Sequence, residues 1–214
     1  MMRLVDELER RIARRYDIAL AHSLRDFVLQ DPHVLHDLSG ADGDTDELLL
    51  VRDGGDGLDF TLYLSEAVCE RARVALERRE LGGGGLDAIC TLVEGVSHGV
   101  CLLWHARHGR EVRPLDLELQ ADIDKYLVLS RDLAVDGELH RALFERVRYT
   151  APPGSALEAR YRHANGRAAR YCRWLERRFP GRGERRALGA ELARFYRLSG
   201  HAKLRRIERC RAHA

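Results

Sequence analysis

LDAICTLVEGVSHGVCLLWHARHGR, residues 86–110, decides the fold of this chain, because it is at once apolar enough to be central and chemically unusual. At helical periodicity Ile89, Val93, Val96, Val100 and Leu103 fall on one face; Asp87, Thr91, Glu94, His98, Cys101, His105 and His108 fall on the opposite one. Stripes this different ask for two different environments. Gly95 and Gly99, beside Leu92 and Leu102, form a small-residue flank that admits the close approach of another helix backbone. The stretch predicts a buried central helix with a polar seam.

Glu94, His98, Cys101 and His105 lie within an arc of about 60° on an ideal helix. A following helix, Pro114 to Arg131, carries Glu118 and Asp122 four residues apart, and the short turn at Gly109 and Arg110 predicts an antiparallel return that sets both carboxylates opposite the seam. Divalent-metal sites in helical bundles are assembled from facing helices in this way. Their familiar spacing is Glu-x-x-His, however, and here it is Glu94-x-x-x-His98. The metal-ligand candidates are Glu94, His98, His105, Glu118 and Asp122. Glu94, His98, Glu118 and Asp122 are also the catalytic candidates, with an uncoordinated carboxylate as general base. The plainer reading makes the same residues a structural polar pair, His98 with Glu118 or Asp122, since buried polar atoms need partners. Cys101 then serves as a small buried hydrophobe.

The rest of the chain frames that helix. With 214 residues, 45% hydrophobic and 33% charged, the chain can bury a core without disulfides. The five cysteines are scattered and contain no C-x-x-C, which argues against a disulfide framework and a thiolate zinc site. The charged N-terminus offers no signal-peptide core, and no run of 18 consecutive apolar residues appears, so the expected location is cytoplasmic with no membrane span.

Upstream, residues 3–29 read as one long amphipathic helix closed by Pro32, followed by surface histidines His33 and His36. Asp42, Asp44 and Asp46 alternate in GADGDTD, but the glycine and glutamate of a calcium loop are missing, so a polar turn is expected. Leu48–Arg52 and Leu58–Leu64 flank DGGDG and alternate as a β-hairpin, which is marginal alone and must lie on a helix or pair with a second copy. Ser65 caps a helix over 66–81, and Gly82–Gly85 reads as a flexible joint that meets neither the P-loop nor the dinucleotide pattern.

Downstream, Asp136 caps a helix through Val147, and APPG at 151–154 breaks the chain. Ser155 and Glu158 form a capping box that opens a helix to Phe179, seamed by Leu157, Tyr161, Ala164, Ala168, Tyr171, Leu175 and Phe179. Two shorter helices follow. Residues 151–214 hold 17 Lys plus Arg against 5 acidic residues, a net of +12, whereas residues 1–150 hold 19 against 29, a net of −10. Sixteen of those 17 cations are Arg, the residue suited to bidentate contacts with phosphate or carboxylate. Arg160, Arg167, Arg170, Arg173 and Arg177, with Trp174 interleaved, are the binding candidates on the surface the seam leaves open. A site contacting six to ten phosphates would lose about 10³ to 10⁵ in affinity between 50 and 200 mM salt.

The expected architecture is mainly α, a multi-helix bundle of about eight helices with one appended β-hairpin. An acidic domain, 1–150, carries the hairpin and the central helix pair; a basic three-helix unit, 151–214, packs on it. The expected function is a self-associating helical binding or adaptor protein whose Arg-rich end engages an acidic protein or a nucleic acid. The alternative is a metal-binding protein or metal-dependent enzyme using the carboxylate and imidazole site between the two central helices.

Overall fold

The computed structural model describes residues 2–40, 45–53, 58–135, 138–147 and 151–210. Among them are nine α-helices and three short strands, so the protein is mainly helical with a small sheet. The chain divides into two compact units. The first comprises Met1–Ile12 and Ala19–Glu111, the second Ala13–Ile18 and Val112–Ala214. The division falls at 111–112 and not at the Ala151–Gly154 break where composition shifts.

The first unit opens with most of helix α1, Met2–Tyr16, whose Val5, Leu8 and Ile12 are buried at helical spacing. The long helix expected over 3–29 is overturned. Asp17 takes a left-handed φ of 51°, and the chain turns back so that the Glu9 carboxylate accepts the Leu24 N–H at 2.8 Å. The continuing apolar spacing belongs instead to a 3₁₀ turn, Leu24–Phe27, and to β1, Val28–Leu29. Helix α2, Pro32–Ser39, follows, with Pro32 at its first position and Asp31 accepting from the His33 N–H; His33 and His36 are both exposed on it.

Strands β2, Glu47–Asp53, and β3, Leu58–Leu64, pair antiparallel with Leu49 opposite Leu62, as the alternation predicted. The sheet is not a lone hairpin, because β1 pairs parallel with β3 to give the order β1-β3-β2. Phe27 and Phe60 stack at 4.6 Å between ring centres. Residues 41–44 and 54–57, which hold Asp42, Asp44 and most of the DGGDG turn, lie outside the described residues. Asp46 is described: it accepts from the Ser65 hydroxyl at 2.7 Å and pairs with Arg71 at 2.6 Å, beside the point where Ser65 caps α3, Glu66–Arg78.

Arg79, with a left-handed φ of 55°, ends α3 before the glycines are reached. Gly83–Gly85 then form the first turn of α4, Gly83–Arg107, so the expected flexible joint is part of a helix. Helix α4 is the core element of the first unit and is apolar enough by length and composition to cross a membrane, with 72% of its most apolar window buried. Each fully buried Val or Leu on it contributes about 1.5–3 kcal/mol. The Gly95–Gly99 flank admits side chains and not another helix backbone. Leu62, Leu64 and Glu47 approach Gly95, and Leu24 approaches Gly99.

The second unit contains α5, Pro114–Leu127, α6, Leu139–Phe144, α7, Ala156–Arg178, α8, Arg185–Tyr196, and α9, Gly200–Arg209, with the last turn of α1. The helix expected to reach Arg131 stays α-helical only to Leu127 and continues as a π-helical turn, Val128–Asp132. The expected cap Asp136 lies outside the described residues, and α6 stops at Phe144, short of Val147. The seam of α7 is buried from Ala164 through Phe179, where α7 packs along α5.

Candidate anion-binding groove

The groove is built on α7, and α7 starts where its sequence says. The Ser155 hydroxyl accepts the Glu158 N–H at 3.1 Å, and Glu158 returns by accepting the Gly154 N–H at 2.6 Å. That N–H first, and Arg162 second, hold the Glu158 carboxyl below its ordinary value. The unfolded chain therefore binds this proton more tightly than the folded one. The stabilisation is complete above the usual carboxylate range and is lost as pH falls through the lowered value. Urea unfolding of Glu158→Gln is expected to match wild type at acid pH and to fall below it toward neutrality. A constant difference across that range would remove this account of the cap.

The buried seam turns the arginines of α7 outward, and four of them gather at its C-terminal half. Arg170, Arg173, Arg177 and Arg178 line a concave groove of about 510 Å³, together with Trp174, His140 and Phe144. Among the described residues, Glu145 is its only acidic lining residue. Two elements place Arg173. The His140 Nε2 donates to the Ala169 carbonyl at 3.2 Å, which leaves Nδ1 to accept from Arg173 Nη2 at 3.2 Å. The same guanidinium reaches Glu145 at 3.3 Å, but both side chains are half in solvent, so this pair is weak and an incoming anion can displace it. Arg177 makes no ion pair with another described residue.

Trp174 is a rigid wall because it is held from behind. The Arg206 guanidinium lies 4.7 Å from its ring centre and donates to Glu191 at 2.9 Å, and Glu191 also accepts from the Tyr171 hydroxyl at 3.2 Å. The Tyr171 ring stacks on Phe195 at 4.1 Å and stands 5.8 Å from Trp174. Cys210, also in the lining, is buried and donates to the Arg206 carbonyl, and desolvation raises its thiol pKa.

Of the binding residues expected from sequence, Arg170, Arg173, Trp174 and Arg177 come together in the groove. Arg160 and Arg167 lie outside it. Arg160 reaches Glu118 at 3.7 Å and covers the Tyr161 ring; Arg167 donates to His163 at 2.6 Å and approaches Glu208 at 3.9 Å. Arg178, which the periodicity of α7 also puts on the surface left by the seam, lines the groove too, whereas sequence reasoning missed His140, Phe144 and Glu145. Those three come from the segment around α6, and nothing in their spacing tied them to α7.

The metal and catalytic candidates fall in different units, Glu94, His98 and His105 in the first and Glu118 and Asp122 in the second. In the first unit the polar seam of α4 is largely buried: His98 is 6% and His105 7% exposed, and Glu94 is half-buried. Ligating atoms of Glu94 and His98 lie within 4.8 Å of each other. His98 Nδ1 stands 3.5 Å from Glu47 Oε1 of β2, a carboxylate that sequence spacing did not bring to mind. His105 Nδ1 lies 2.9 Å from the carbonyl of Cys101 in its own helix. In the second unit Glu118 faces Arg160, and Asp122 pairs with Lys125 at 2.7 Å and accepts from Asn165 at 3.3 Å.

A buried polar network that the sequence did not announce lies at the centre of the second unit. Lys203, 1% exposed, donates to Gln120 Oε1 at 2.9 Å. Gln120 Nε2 donates to the Tyr16 hydroxyl at 2.9 Å and to Asp124 at 3.3 Å, and Tyr16 donates to Asp124 at 2.6 Å. Arg15 closes the chain, 3.9 Å from Asp124 and 2.6 Å from Asp132. Burial first, and Asp124 second, push the Tyr16 hydroxyl pKa well up, so it remains a donor. Compared with known protein families, curated proteins and solved structures, the chain matches none.

Proposed function

We propose that this protein is a helical binding protein whose α7 groove holds an anionic partner. The observation that carries the reading is the composition of the groove wall: among the described residues, four guanidiniums against one carboxylate, with His140 in the tautomer that accepts from Arg173. Guanidiniums present paired N–H groups that match the oxygens of phosphate or carboxylate, and such charge-assisted bonds are about twice as strong as neutral ones. The second unit supplies the rigidity binding needs, because α7 is capped at its start and packed along α5.

The test is retention on a phosphocellulose column, comparing two variants of equal charge change. Arg173→Glu with Arg177→Glu is expected to elute at clearly lower salt than Arg185→Glu with Arg186→Glu, which alters exposed positions at the start of α8. Equal shifts in two folded variants would mean that the matrix reads net charge alone, and the groove reading would fall.

A further inference from the structure

We infer that the ligand of this groove is a compact nucleoside phosphate, its phosphates on the arginines and its planar ring against Trp174 and Phe144. This deepens the anion-binding reading and rests on it. Three features narrow the ligand. The first is length. The α7 arginines read from sequence run from Arg160 to Arg177, about 26 Å of helix, which would suit an extended strand. Arg160 and Arg167 of that row lie outside the groove, beside Glu118, His163 and Glu208. What remains, Arg170 to Arg178, covers about 12 Å.

The second feature is volume. A concavity of about 510 Å³ is of the size that encloses a small organic ligand. The third is the pairing of charge with ring surface. The described lining residues have a formal excess of three positive charges with His140 neutral, and the same wall presents the half-buried Trp174 and Phe144. Both rings are braced. Phe144 sits 4.8 Å from His140 and 5.9 Å from Tyr126, and Trp174 is backed by Arg206. A fixed aromatic wall beside fixed guanidiniums suits a ligand that is flat at one end and multiply anionic at the other, because every base has a face that can stack on an aromatic ring.

Isothermal titration calorimetry of the full chain with adenosine diphosphate, pyrophosphate and a single-stranded oligonucleotide tests this. Adenosine diphosphate is expected to bind one to one, at least about tenfold tighter than pyrophosphate. Arg173→Ala with Arg177→Ala should weaken it by about tenfold or more, and Trp174→Leu should abolish its advantage over pyrophosphate while circular dichroism stays unchanged. Arg205→Ala, at an exposed position outside the groove, should leave both affinities unchanged. Equal affinity for pyrophosphate and adenosine diphosphate in the wild type would overturn the ring assignment. Binding of the oligonucleotide without the diphosphate would overturn the ligand class and leave the anion-binding reading standing. No binding of any probe, together with groove-independent retention on phosphocellulose, would sink both.

Discussion

Replacing Asp124 with alanine is expected to lower the unfolding free energy of the second unit by about 3–5 kcal/mol, the range seen when one partner of a buried ion pair is removed. Asp124 is fully buried. Its two oxygens accept from Tyr16 and Gln120, and through the Gln120 amide it is tied to the ammonium of Lys203. The amide orientation follows from its neighbours, since an ammonium can only donate and a carboxylate only accept. Without the carboxylate, the Tyr16 hydroxyl and the Gln120 amide lose the acceptor they share, and Arg15 keeps Asp132 but loses the Asp124 charge 3.9 Å away.

Lys203 also lies 5.5 Å from the Phe195 ring centre and 5.3 Å from that of Tyr196, contacts too small to offset the missing charge. Asp124→Asn combined with Lys203→Met is expected to recover much of the loss, because a neutral pair of similar shape avoids the desolvation of both ions. Urea unfolding followed by circular dichroism measures this. A loss below about 1 kcal/mol for Asp124→Ala would show that water reaches the network and that the pair behaves as a surface one.

In the first unit the largest effect is expected where α4 meets Leu24. A β-carbon at Gly99 would lie well inside contact distance of the fully buried Leu24 side chain. Gly99→Val should therefore cost about 1–3 kcal/mol by overpacking, more than the helix propensity gained on leaving glycine, about 1 kcal/mol at most. Leu24→Ala alone should cost about 2–5 kcal/mol through the cavity it opens. The two changes fill and empty the same space, so the double variant is expected to be more stable than the sum of the single losses. Strict additivity would mean that the helix and the 3₁₀ turn relax independently.

Several elements were legible from residue order alone, and each was legible for a local reason. Ser65 begins α3 and Ser155 with Glu158 begins α7, because a cap is a bond between neighbours in the chain. The strands at 47–53 and 58–64 were visible in the alternation of Leu58, Phe60, Leu62 and Leu64. The buried helix at 83–107 was visible in its apolar face. The end of α1 was not. Its periodicity continues past Tyr16, and only the return of residues 18–27, secured by Glu9, shows that the later apolar residues serve other elements.

The two polar centres divide in the same way. That α7 would carry an arginine surface with a tryptophan in it was determined by composition and by the seven-residue seam, since whatever the seam buries, the rest of the helix must expose. Which arginines line the groove was decided by packing: His140, Phe144 and Glu145 come to lie beside Arg170, Arg173, Arg177 and Arg178, while Arg160 and Arg167 lie beside Glu118, His163 and Glu208. Lys203 is the only lysine among the cations of residues 151–214, but nothing local says that it is buried. Gln120, Tyr16 and Asp124, 79 to 187 positions earlier in the chain, make it so. Helix starts and amphipathic faces depend on neighbours in sequence. The groove and the buried network depend on which distant side chains share a small volume, and only tertiary packing sets that.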